Sequence, residues 1–216
     1  MTALFSCFLP HRWRHSCRFA RSLAFALLIP GSMTGVAHAA DQDIGQLMQR
    51  LSQQKSGRAT FVERKYMAVL DRPLESSGEL SYTAPARLEK RTLKPNQETL
   101  ILDGDRISMV RGKQKIEVWL SQYPEAGALV ESIRATLAGD RPALEQHYRL
   151  SLGGTAARWK LSLLPNDSRI AALVLRIIIS GQQEQVRSIE YLQADGDRVV
   201  MQIDSTDTAR DGNRMP

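Results

Sequence analysis

Apolar residues recur along this chain with two different periods. Ile44, Leu47, Met48 and Leu51 follow helical spacing after Asp41 and Asp43, which suit a helix start, and Gly57 follows the pattern. An amphipathic helix is expected there. Extended segments then take over at residues 61–70, at three places between Gly78 and Gly104, and at 106–110 and 114–120. Pro85, Lys94-Pro95-Asn96, Asp103-Gly104 and Gly112-Lys113 punctuate them as turns. Leu80 and Tyr82 lie two apart and so share a strand face. Leu88 opens a strand whose other positions are mostly charged, and Leu100, Ile101 and Leu102 run into the Asp103-Gly104 turn.

Around the middle the helical period returns. Ala126, Leu129, Val130, Ile133 and Leu137 mark a second helix, with Pro124 near its start and Gly139 just past its end. A helical turn at 142–146 leads into strands at 148–152, 158–164, 170–180, 186–193 and 198–204. About eleven strands, with one helix before them and another between them, are too much sheet for a βαβ arrangement. The expected class is mainly β with helices (α+β): a curved antiparallel sheet forming a half-open barrel whose concave side the helices cap.

Residues 1–39 stand apart. They hold Arg12, Arg14, Arg18 and Arg21 and no acid, then an apolar run from Leu23 to Ile29, then Ala37-His38-Ala39, small residues where a signal peptidase cuts. Pro30 and Gly31 end the run well short of the roughly 20 apolar residues a membrane span needs. A signal peptide removed after Ala39 is expected, with the product soluble in the periplasm. Its loss leaves 177 of the 216 residues, a length suited to one domain at 40–205 followed by a polar tail at 206–216. Cys7 and Cys17 leave with it, so disulfides and thiolate chemistry are excluded from the working chain. Four arginines leave too, taking the formal charge from +6 to +2, and a nucleic-acid partner loses its main support.

The ligand inventory argues against zinc, against any cofactor and against catalysis. His147 is the one histidine beyond residue 39, and Asp103 and Asp105 fall in a turn sequence. Arg87, Lys90, Arg91 and Lys94 cluster around one strand, either as a solvated face or as contacts for anionic head groups or a partner. Trp119 is expected to pack in the core.

Gly78-x-Leu80, Pro85, Pro95 and Glu98-x-x-x-x-Asp103-Gly104, in that order and at those intervals, resemble the LolA family of periplasmic lipoprotein carriers, and a weaker likeness runs from about Ile44 to Ser205. The resemblance implies a hydrophobic cavity for acyl chains of a lipid or lipoprotein cargo. It also implies an inner-membrane exporter or other envelope protein as partner, and a chain that works as a monomer. Its cavity wall would be Leu80, Tyr82, Leu88, Leu100 and Leu102. Its movable lid would be Ile44, Leu47 and Leu51 with Leu129, Ile133 and Leu137, and Arg87, Lys90 and Arg91 would meet a head group or partner. Lipoprotein carriers proper place an arginine before the proline of the meander to tie the lid shut; Ala84 stands there in this chain, a departure by which it resembles the LolA-related branch, homologues that serve other lipid or acyl-product pathways of the envelope. The same fold in envelope-stress regulators implies the alternative of a lipid-sensing or interaction domain without transport.

Overall fold

A computed structural model describes residues 36–206, with side chains from Ile44 onward. The expected leader, apart from its last four residues, and all but the first residue of the expected tail lie outside the described residues. Helix α1 (Val36–Leu51) opens ahead of Ala39. Six strands follow: β1 (Ser56–Tyr66), β2 (Leu74–Thr83), β3 (Arg87–Lys94), β4 (Glu98–Asp103), β5 (Arg106–Arg111) and β6 (Gln114–Trp119). A 3-10 turn (Leu120–Gln122) leads to α2 (Pro124–Ala138) and α3 (Arg141–His147). The chain returns through β7 (Tyr148–Thr155), β8 (Arg158–Pro165), the short α4 (Ser168–Ala171), β9 (Val174–Gln182), β10 (Gln185–Gln193) and β11 (Arg198–Ser205).

All eleven strands form one antiparallel sheet in the order β6-β5-β4-β3-β2-β1-β11-β10-β9-β8-β7. Two meanders are therefore joined at one non-local seam, where Ala59 faces Ser205 and Tyr66 faces Arg198. The outer strands β6 and β7 do not pair, so the barrel stays open. The sheet is nevertheless strongly bent. Arg134 of α2 donates to the carbonyl of Gly104, in the turn after β4, while the adjacent Ile133 packs beside Ile179 of β9. Those strands are six steps apart, about 29 Å on a flat sheet at ~4.8 Å per step, yet they meet neighbouring residues about 3.8 Å apart along one helix.

Two strand expectations shift. The segment expected at 61–70 begins at Ser56 and ends at Tyr66, because β1 is central and both neighbours fix its span: Ser56 pairs with Thr83 and Ala59 with Ser205. Met67 to Leu70 instead form a turn, closed by Leu70 N–H on the Met67 carbonyl at 3.0 Å. Ile170 does not open a strand; Asp167 accepts the Arg169 N–H at 2.7 Å and starts α4, where Ile170 is buried.

The core lies under β7–β11. Leu47, Leu161, Leu163 and Ile177 are wholly buried there, with Trp159, Val174, Ile179 and Leu144. The apolar stripe of α1 packs into the same cluster. Gly139 closes α2 at φ 69°, and a Cβ on it would lie 2.2 Å from the Met48 carbonyl, so glycine also lets the ends of α1 and α2 meet.

Candidate functional site

Strand register sorts the β2–β6 half into rows of directly opposed side chains. On the face that carries the helices, one row runs Tyr82, Leu88, Leu102, Ile107, Val118. The next runs Leu80, Lys90, Leu100, Met109, Ile116. A third begins with Phe61, Gly78, Thr92 and Glu98 and turns polar, continuing through the Glu98–Arg111 ion pair to Gln114. Two apolar rows thus meet a polar one. Leu80, Tyr82, Leu88, Leu100 and Leu102, the expected wall, all share this inner face, as period two requires.

Burial differs sharply along the rows. Tyr82 and Leu102 are buried, Leu80, Leu88, Leu100, Ile107 and Met109 are half-buried, and Ile116 at the sheet edge is 47% exposed. The Tyr82 hydroxyl is buried without a hydrogen-bond partner, and burial raises its pKa above the ordinary phenol value.

The motif residues have structural reasons. At a bulge between Ser77 and Gly78 the strands come so close that a Cβ on Gly78 would lie 2.0 Å from the Arg91 carbonyl oxygen. Asp103 pairs with Arg87 at 3.2 Å, and Gly104 takes φ +59° in the turn. Asp105 accepts from the backbone and hydroxyl of Ser121 at 3.0 and 2.8 Å, and Asp140 accepts the Ala143 N–H at 3.0 Å to start α3. These carboxylates shape turns and helix ends. Among the described residues no group of three or more His, Cys, Asp or Glu is placed to hold a metal ion.

The basic cluster divides between two faces. Arg87 and Arg91 are on the outer face, paired with Asp103 and Glu89 and with Glu79. Lys90 is on the inner face, where its ammonium lies 2.8 Å from Glu63 and 5.0 Å from the centre of the Phe61 ring. Lys94, placed in that cluster from sequence, is exposed at the end of β3 beyond the bulge. Glu63 went unnoticed in the sequence, since nothing in Phe-Val-Glu-Arg-Lys distinguishes it from a solvated strand position. Trp119, expected in the core, is 52% exposed, because register puts it on the outer face opposite Arg106 at the sheet edge.

Helix α2 crosses the inner face, yet its most buried positions are Ala128, Ser132, Ala135 and Thr136, small residues that let it approach closely. Ser132 and Thr136 turn their hydroxyls back onto the carbonyls of Leu129 and Ser132. Leu129, Ile133 and Leu137, the expected lid residues, are half-buried beside this stripe. Ile133, Thr136 and Leu137 face Ile179, Val186 and Ile189 across a gap of ≈ 10 Å³, room for at most one water. Ile44, Leu47 and Leu51 are fully packed on the β7–β11 side. Polar ties hold α2: Arg134 to Gly104, the Glu125–Arg169 ion pair to α4 at 3.7 Å, and the Tyr148 hydroxyl, which donates to the Ala128 carbonyl at 3.0 Å. Burial raises the pKa of that phenol too. Ala84, at the position before Pro85, donates its N–H to the Lys55 carbonyl at 2.8 Å.

The profile of the family described as "Outer membrane lipoprotein carrier protein LolA-like" matches residues 36–212. The chain belongs to this LolA-like family. No curated protein matches the chain. Among solved structures, this LolA-like chain is similar to MucB at 18% identity and a TM-score of 0.44, covering 84% of this chain and 64% of that one. It is similar to a putative outer membrane lipoprotein-sorting protein domain from Vibrio parahaemolyticus at 8% identity and a TM-score of 0.42, covering 81% and 95%. A LolA superfamily protein from Nitrosomonas europaea shares 10% identity at a TM-score of 0.40, covering 74% and 91%. Among the described residues of the LolA-like chain, no helix is long and apolar enough to cross a membrane.

Proposed function

We propose that the chain is a periplasmic carrier that shelters the acyl chains of a lipid or lipidated molecule, lipoproteins included, against the inner face of β2–β6. One observation supports this above the others: in two adjacent apolar rows Leu100, Ile107, Met109, Val118 and Ile116 stay half-buried or exposed, on the same face that is packed solid under β7–β11. Half-exposed leucine, methionine and isoleucine side by side are an interaction surface, because scattered single residues are the norm on soluble proteins.

On this reading residues 1–39 are a signal peptide, 40–205 the working domain and 206–216 a tail. The energetics suit exchange with a bilayer. Each methylene withdrawn from water gains ~0.8 kcal/mol, so a sixteen-carbon chain gains roughly 12 kcal/mol on the protein and about as much in the membrane. Transfer is then nearly balanced, and the cost of shifting α2 sets its direction. The helix is suited to such movement: its ties to Gly104 and Tyr148 are single hydrogen bonds, its ion pair to Arg169 is solvent-exposed, and its bulkier side chains Leu129, Ile133 and Leu137 are not fully buried. An inner-membrane exporter or another envelope protein would load it, and the chain would work as a monomer.

Mass spectrometry of lipids that copurify with the protein from the periplasm tests the reading. Near-stoichiometric acyl lipid is the expected result. Protein recovered free of lipid, and unable to take up a fluorescent fatty acid, would turn the assignment to a sensing or interaction domain.

A further inference from the structure

The boundary between the apolar and polar rows is marked by one charged side chain. Lys90 is rooted between Leu80 and Leu100, its direct neighbours across β2 and β4. From there it crosses the row of Gly78 and Phe61, with Nζ 5.0 Å from the ring centre, and ends 2.8 Å from Oε2 of Glu63. Glu63 also accepts from the Ser76 hydroxyl at 3.4 Å. Glu63 shares its row with Met201 and Ile189, so the carboxylate stands where the packed core begins.

A partly exposed ion pair of this kind adds little to stability. The outer face of the same strand already offers water to a lysine, so solubility does not explain its position. An ammonium has three N–H donors; Glu63 takes one and the Phe61 ring shields one side. With 29% of the Lys90 side chain exposed, the pair is open to solvent at the border of the apolar rows. Tyr82 lies diagonal to Lys90 in the strand register, in the neighbouring apolar row.

We infer that Lys90 receives an anionic head group, carboxylate or phosphate, of an acyl ligand whose chain lies along the two apolar rows, while Glu63 holds the ammonium in place in the absence of ligand. The inference rests on the acyl-binding reading above and adds a chemical preference to it. The two oxyanions come from different ligands, fatty acids and phospholipid-like molecules, and separate probes distinguish them.

The test is titration of the purified protein with palmitate, hexadecyl phosphate and hexadecanol at neutral pH, three probes with the same chain. The wild type binds one or both anions about tenfold more tightly than the alcohol, the ratio a charge-assisted hydrogen bond supports. Lys90→Met abolishes that preference and keeps hexadecanol affinity within about twofold. Glu63→Gln acts in the opposite direction, increasing the preference by freeing the ammonium. A purely structural ion pair would weaken all three probes alike in both variants. Where Lys90→Met fails to fold, Glu63→Gln and Lys90→Gln carry the test. Equal affinity of the wild type for all three probes, or a preference that survives loss of Lys90, overturns the head-group inference and leaves the carrier reading standing. Failure of the wild type to bind any of the three overturns the carrier reading itself.

Discussion

The inner faces of β7–β10 and of β2–β6 are built by the same rule of alternation, and they end in opposite states. Under the helices, Leu161, Leu163, Ile177 and Ile179 are at most 1% exposed, and α1, α2 and α4 contribute side chains to their cluster. Across the seam, Leu100 and Met109 occupy equivalent places in the pleat and remain half-exposed. Strand pattern alone does not separate the two. What separates them is where the helices go, and that follows from the connection: α2 and α3 link the two unpaired edges, dock through a stripe of small residues, and leave β3–β6 partly uncovered. One half of the sheet is used to hold the fold, and the other retains the apolar surface that the proposed function assigns to a ligand.

The largest effect should come from truncating the packed half. Ile177→Ala or Leu161→Ala is expected to lower stability by ~2–5 kcal/mol in urea denaturation, whereas Leu100→Ala costs roughly 1 kcal/mol. Equal losses would erase the distinction between the halves. Next, Met109→Asp places a charge in the second apolar row; fatty-acid affinity should fall about tenfold or more, with stability kept within ~1 kcal/mol, as fluorescence titration and melting would show. An unchanged affinity would remove this row from the ligand surface.

Smaller effects bear on the lid. Tyr148→Phe removes the donor to the Ala128 carbonyl and should cost about 1 kcal/mol, with faster hydrogen exchange in α2 than in α1. Uniform exchange across both helices would argue that α2 does not open separately. Smallest of all, Tyr82→Phe deletes a buried hydroxyl that has no partner, so stability should stay level or rise by up to ~1 kcal/mol. A clear loss would mean that the hydroxyl is already satisfied in the free protein.

Much of this could be read from the chain. The strand count and the shared face of Leu80 and Tyr82 followed from period two and from turn residues, which are local signals, whereas the placing of Leu88, Leu100 and Leu102 on that face depends on register between strands. Lys90 shows the limit of reading by cluster: the same alternation that groups the leucines separates it from Arg87 and Arg91, while charge alone had placed all three together. Glu63 was not legible, because its role depends on β1 pairing with β2 and on Lys90 reaching it from β3 across Phe61. The early start of β1 was hidden for a similar reason, since polar residues 56–60 become strand only when β2 and β11 flank them. The burial of Ala128 and Ala135 over Leu129 and Ile133 depends on how closely α2 docks, which periodicity does not encode.

The most direct measurement is photo-crosslinking with a fatty acid that carries a diazirine near the end of its chain, followed by peptide mapping. The account predicts label on inner-face residues of β3–β6, Leu100, Met109 and Ile116 foremost, competed away by unlabelled fatty acid. Label confined to the outer face or to β7–β10, or no competable label, would contradict it.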